Sequence, residues 1–199
     1  MAKAKLNPVF LQMRGDIGDL VFKRYLGRLI VSRKPDLSSI EPSAAQLAQR
    51  ERFRQAALYG KMALADPQTR ARYEQAAEEK NMPVFALTVS DYFHAPEIDE
   101  IDLEAYNGGI GDEIVVRAHD NVAVEQVLVS LKDEFDQPLE TGLAVEEPEG
   151  SGRWVYFALT HADPGDTVRV TVTASDLPGG TTVETVETTI EAIIAPNPG

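Results

Sequence analysis

Cysteine is missing from all 199 residues, so neither disulfides nor thiolate metal sites can hold this chain together. Histidine is nearly missing too. His94, His119 and His161 are the three copies, and none stands in a His-x-x-x-His or Glu-x-x-His spacing. Each has an acid close in sequence (Asp91, Asp120 and Asp163), and the expected reading is a surface histidine at an element boundary or turn. No Gly-x-Ser-x-Gly elbow occurs, and Gly15-x-x-Gly18 lacks the Lys-Ser/Thr that would make it a phosphate loop. These absences argue against an enzyme and against a cofactor, and no catalytic, cofactor-binding or metal-binding residue is assigned. No run approaches the ~20 apolar residues of a membrane span, and the opening MAKAKLNP lacks the apolar core of a secretory signal. Synthesis is expected to end in the cytoplasm, with the final location, extracellular or within a virion-like particle, left open. Positive charge is scarce in one half: residues 96–199 hold 4 Lys/Arg against 22 Asp/Glu, whereas residues 1–95 hold 15 against 10. With a formal net charge of −13, the whole molecule is a poor nonspecific ligand for nucleic acid or an anionic membrane.

The stretch Gly15 to Pro35 stands out. Two runs rich in β-branched and aromatic residues, Leu20 to Tyr25 and Leu29 to Arg33, flank Leu26-Gly27-Arg28, and Gly27 can adopt the positive φ of a tight turn. That pattern predicts a β-hairpin, made basic by Arg14, Lys23, Arg24, Arg28, Arg33 and Lys34. A two-stranded hairpin is marginal alone in water and leaves unpaired backbone edges. Val21, Phe22, Arg24, Tyr25, Arg28, Leu29, Val31 and Arg33 are therefore expected to form a contact with another copy of the chain. Carboxylates such as those in Glu146-Glu147-Pro148-Glu149 would face the arginines.

After the hairpin, Ser43 is a plausible N-cap for a helix from about Ala44 to Ala65, with Leu47, Ala48, Phe53, Ala57, Leu58 and Met62 near helical spacing. Asp66-Pro67 restarts a second helix, to about Lys80, and Pro83 opens a third through Phe93. His94-Ala95-Pro96 marks a boundary. Beyond it turn clusters recur every 8 to 12 residues or so, the rhythm of an antiparallel sandwich of about seven strands. Ile114, Val116 and Ala118 alternate with polar neighbours, as do Val127, Val129 and Leu131, and Val168, Val170, Val172 and Ala174. Trp154, Tyr156 and Ala158 are expected in the core, and Thr181 to Ile194 as a long last strand. The acidic stretch Glu97, Asp99, Glu100, Asp102 and Glu104 could supply hard oxygen ligands to Ca²⁺. Its apolar residues Ile98, Ile101 and Leu103 point instead to a first strand with a solvated acidic face.

The segments GDEIVVRAHDN (111–121) with Val127-x-Val129, and VTVTASD (170–176) with Gly179-Gly180, resemble bacterial immunoglobulin-like or fibronectin-type modules. The resemblance implies a sandwich over about half the chain and is nearly silent on function. Gly15-x-x-Gly18, Val21-x-x-Arg24-x-x-Gly27, Arg33-x-Pro35 and Ala48-Gln49-Arg50-x-Arg52-Phe53 resemble an uncharacterised family of Bacteroidetes-type bacteria and their phages. That resemblance implies a small non-enzymatic module.

The fold expected is α+β in two domains: residues 1–95, a basic hairpin and helical assembly module, and residues 96–199, an acidic immunoglobulin-like β-sandwich. The function expected is that of a structural subunit of a repeating assembly such as a filament, sheath or virion-like particle. Its partners would be other copies of itself and other structural proteins. Two alternatives remain at this level: an independent binding or adhesion protein acting through the sandwich loops, and a nucleic-acid-associated factor using the basic half. An aromatic platform for bases is missing, and the acidic half would repel such a ligand.

Overall fold

The computed structural model describes residues 14–25, 28–36 and 41–191. The chain is a mixture of helices and antiparallel sheets, an α+β fold, and divides into two compact units, Met1–Ala48 and Gln49–Gly199.

In the first unit β1 (Gly15–Ile17), β2 (Leu20–Tyr25) and β3 (Arg28–Arg33) form a three-stranded antiparallel sheet in that order. The strand pair expected from the sequence is present, with a third strand added. Gly18, at φ +56, and Asp19 make the two-residue turn that brings Ile17 opposite Leu20. Arg28 pairs with Tyr25, so the second connection is residues 26 and 27 rather than the three expected. Leu26, Gly27 and the expected role of Gly27 lie outside the described residues.

Three helices follow. At the start of α1 (Ala44–Ala63) Ser43 Oγ accepts from the Gln46 amide and Gln46 Oε1 accepts from the Ser43 amide, a reciprocal capping box. Asp66 accepts from the Thr69 amide at 2.8 Å to start α2 (Pro67–Glu79), and α3 (Val84–Phe93) begins after Pro83. The face of α1 that packs is not the expected one. Leu47, Phe53, Leu58 and Met62 are exposed, whereas Ala56, Gly60 and Ala63 are buried. Small residues win this face because α3 comes close: a Cβ at Gly60 would collide with Thr88 Oγ1 and press on the Phe85 ring.

Eight strands follow, in two four-stranded sheets. One runs in the order β4 (Glu97–Asp102), β5 (Glu113–His119), β9 (Arg153–Phe157), β8 (Val145–Glu146). The other runs in the order β11 (Thr181–Thr189), β10 (Thr167–Asp176), β6 (Val124–Lys132), β7 (Pro138–Leu143). One core joins them. Every second residue of the central strands enters it: Ile114, Val116 and Ala118 on β5, Val127, Val129 and Leu131 on β6, Trp154 and Tyr156 on β9, and Val168, Val170, Val172 and Ala174 on β10. Ile98 and Ile101 are three apart and would face opposite sides of a regular strand. A bulge between Ile98 and Glu100 turns both towards the core. The last strand ends at Thr189; Ile194 lies outside the described residues.

The compact units do not divide at residues 95/96. Buried Ala63, Tyr73, Ala77 and Leu87 of the helices form a second cluster, against which Val122 and Leu177, from turns at the ends of the sheets, also pack. Arg72 on α2 pairs with Glu125 on β6 at 2.6 Å. The helices beyond Ala48 thus share a unit with the sheets, because their small apolar face is completed by sheet turns.

Trp154 is only 7% exposed, between the two sheets. Trp154→Ala is therefore expected to cost about 3–5 kcal/mol in chemical denaturation. Wild-type stability of that variant would contradict the core position.

Candidate functional site

The register of the first sheet sorts the residues expected to make subunit contacts. Residues directly opposite share a face, so Phe22, Leu29, Val31 and Arg33 fall on one side and Val21, Tyr25 and Arg28 on the other. The side chain of Arg24 lies outside the described residues. The first side also holds Ile17 and Leu20, which the sequence reading left out. It is a nearly continuous apolar surface. Ile17 is 53% exposed, Leu20 41% and Val31 44%, with Phe22 and Leu29 half-buried. The signal for Ile17 was available in the Gly18-Asp19 turn, which places it across from Leu20.

Edges differ between the units. Edge strand β4 follows Pro96 and carries a bulge, β7 opens on Pro138, and β8 is two residues long and precedes Pro148. On β11, Glu184 pairs with core residue Val172 and so points to the core side of an edge strand. Each device discourages the pairing of another strand. Edge strand β3 is six residues long, with no proline and an unbroken register against β2.

The histidines are all exposed. His94 Nδ1 lies 2.7 Å from the Ser90 carbonyl oxygen rather than against Asp91. His119 Nδ1 meets Asp99 at 2.8 Å rather than Asp120, and His161 lies 3.4 Å from Asp163. Four of the five acids in the acidic stretch lie on β4 and are engaged locally: Glu97 and Asp99 lie near His119, Glu100 pairs with Arg117 at 3.1 Å, and Asp102 accepts from the amide of Glu104, which follows the strand. Among the described residues no group of three His, Cys, Asp or Glu is placed to hold a metal ion. Glu146, in the acidic loop suggested as a partner for the hairpin, instead accepts from the Gly152 amide at 2.8 Å.

A second constellation had no sequence signal. Asp91 of α3, Asp120 of the β5–β6 turn and Asp176 at the end of β10 come together where the helices meet the sheets. They are about 30 and 60 residues apart along the chain, so no local spacing announces them. Asp91 is fully buried and Asp176 is 5% exposed. Tyr73 donates to Asp91 Oδ2 at 2.5 Å; its one proton being so used, Tyr59, 2.9 Å away, donates to Tyr73. Asp120 Oδ2 accepts from the Val122 amide, and Asp176 Oδ1 accepts from the Gly180 amide. The opposite oxygens, Asp91 Oδ1, Asp120 Oδ1 and Asp176 Oδ2, are buried without a hydrogen-bond partner. Burial pushes Asp91 up to about 7; the Tyr73 hydrogen bond opposes the rise and the neighbouring Asp120 and Asp176 add to it. Burial also raises Asp176 and Tyr73.

No protein-family model matches this chain, and no curated protein matches it. Among solved structures it is similar to the crystal structure of CopC from Methylosinus trichosporium OB3b, at 14% identity and a TM-score of 0.38, over 49% of this chain and 94% of that one.

The hydrogen bond to Asp99 raises the pKa of His119. A raised histidine adds stability that is complete below its unfolded value of about 6.5 and is lost as pH rises through the folded value. The pair is exposed and screened, so the contribution is about 0–1 kcal/mol at most. An NMR titration is expected to place the His119 midpoint above that of free histidine. Asp99→Asn should bring it down, and an unchanged midpoint would refute the pairing.

Proposed function

We propose that this chain is a non-enzymatic structural subunit of a repeating assembly, a filament, sheath or virion-like particle, whose first sheet contacts neighbouring copies. In this reading the paired sheets are an immunoglobulin-like module displayed by the assembly. The observation that carries the proposal is the open apolar face of Ile17, Leu20, Phe22, Leu29 and Val31 beside the unblunted edge of β3. Each such side chain withdrawn from water contributes about 1.5–3 kcal/mol, and a free edge adds backbone pairing.

Charge favours a second copy as the occupant. The first unit carries 8 Lys/Arg against 4 Asp/Glu, and the second 11 against 28. Unlike surfaces attract, and a contact between unlike surfaces propagates into a filament unless its rotation closes a ring. Arg33, on the apolar face, and Arg28, on the opposite side of edge strand β3, would set orientation, since exposed ion pairs add only about 0–1 kcal/mol each. The strand orders β4-β5-β9-β8 and β11-β10-β6-β7 support the immunoglobulin-like reading, in which the first, second, fifth and fourth of seven strands share one sheet; here β7 is an added strand beside β6, so β9 and β8 take those last two places as sixth and fifth of eight.

Sedimentation velocity and negative-stain microscopy of the purified protein test the assembly. Deleting residues 1–35 is expected to abolish association while the second unit stays folded. Arg28→Glu with Arg33→Glu should weaken association by a factor that shrinks as salt rises. A wild-type protein that stays monomeric at high concentration, or a deletion variant that still assembles, would overturn the proposal in favour of a binding module acting through the sheet-connecting loops.

A further inference from the structure

Asp91, Asp120 and Asp176 are left unused by the proposed assembly, and their arrangement raises a problem that the protein must solve. An ionised carboxylate only accepts hydrogen bonds, so three of them cannot satisfy one another. Yet Asp91 Oδ1, Asp120 Oδ1 and Asp176 Oδ2 are buried and lack a donor. A desolvated charge without a partner is expensive, and two close carboxyl groups escape the cost when one of them keeps a proton. A proton on Asp91 supplies the missing donor to Asp120, while Asp91 Oδ2 remains free to accept from Tyr73.

We propose that Asp91 and Asp120 share one proton, and that this proton latches the helical layer to the paired sheets. The place of the pair makes it a latch: Asp91 belongs to α3, is tied by Tyr73 to α2 and through Tyr59 to α1, while Asp120 and Asp176 belong to sheet ends. The apolar contacts across this junction are few, chiefly Val122 and Leu177 against Tyr73, Ala77 and Leu87. Among the described residues, Tyr59, Tyr73, Asp120 and Asp176 are the titratable groups that face Asp91. Arg72, which acts on Tyr59, is ion-paired to Glu125. Burial raises both tyrosines further, so they keep their protons as donors, and Asp91 is the group that titrates near neutrality.

The sign follows from linkage. When the helices open, Asp91 returns to the ordinary carboxylate value of about 3.9. Between there and about 7 the closed state holds a proton that the open state lacks, so closing is favoured less and less as pH rises across that window. Above it both states are ionised and the dependence ends.

Hydrogen exchange of the full chain at pH 6 and pH 8, corrected for intrinsic chemical exchange, tests the latch. The opening constant for α2 and α3 amides, such as those of Tyr73, Ala77 and Leu87, is expected to rise about tenfold between the two. Amides of Val129 and Val170 should not follow. Asp91→Asn keeps an acceptor for Tyr73 and adds an N–H donor for Asp120, so it should hold the helices at both pH values as tightly as wild type at pH 6. Asp120→Asn, with its carbonyl kept for Val122, should do the same. The proposal fails if Asp91→Asn retains the wild-type pH response, or if the sheets loosen in step with the helices. Protection restored at pH 8 by millimolar Ca²⁺ and removed by chelator would show that a cation, not a proton, neutralises the cluster. Failure of both carboxamide variants to hold the helices at pH 6 also overturns it, because each has the shape and donor of the protonated acid.

Discussion

The paired sheets of the second unit depend on one constraint, that strands buried between two sheets must send every second residue into the same interior. On β5, β6 and β10 that rule holds without a break: Ile114, Val116, Ala118, Val127, Val129, Val170, Val172 and Ala174 are all almost completely buried. Because the four central strands fill the core, the outer strands can be short, bulged or interrupted by proline without loss of the sheet. The same arrangement makes room for Glu184, which sits on the core side of β11 where the edge still lets its carboxylate reach water. Edges that refuse new strands are thus a consequence of a core that does not need them.

The helical layer is held in another way. Its buried face is made of Ala56, Gly60, Ala63, Ala77 and Leu87 around Tyr73, small groups that allow close approach but remove little apolar surface from water. Polar contacts fill the difference: the Tyr59–Tyr73–Asp91 chain, and Thr88, buried with its hydroxyl donating to the Phe85 carbonyl oxygen. A layer fixed by few apolar contacts and a desolvated polar network lies at the low-stability end of a fold, where a single proton has leverage. The first sheet is a third regime, with an apolar face that its own unit leaves exposed.

Most of this pattern was legible in the sequence wherever a short-range rule governs it. Two-residue alternation located the central strands and placed Trp154, Tyr156 and Ala158 inside; Ser43 and Asp66-Pro67 marked helix starts through local hydrogen bonds. Legibility failed where the rule is not local. Strand β1 carries one large apolar residue, Ile17, too little for a periodic signal, and is recognised only by its pairing with Leu20 to Phe22. On α1 the bulky Leu47, Phe53, Leu58 and Met62 advertised a buried face, but the approach of α3 selected the small residues instead.

By itself, then, the sequence determined the mixed helix-and-sheet class, the alternating core strands, the helix caps and the concentration of basic residues near one end. Each follows from the intrinsic geometry of a strand or helix turn, which a few neighbouring residues suffice to specify. Tertiary structure decided what lies with what: that the helices join the sheets rather than end a separate domain at residue 95, that Ile17 completes an apolar face, and that Asp91, Asp120 and Asp176 meet. Those choices depend on which surfaces shut out water together. Packing and desolvation act between residues far apart in the chain, so no short window of sequence contains them.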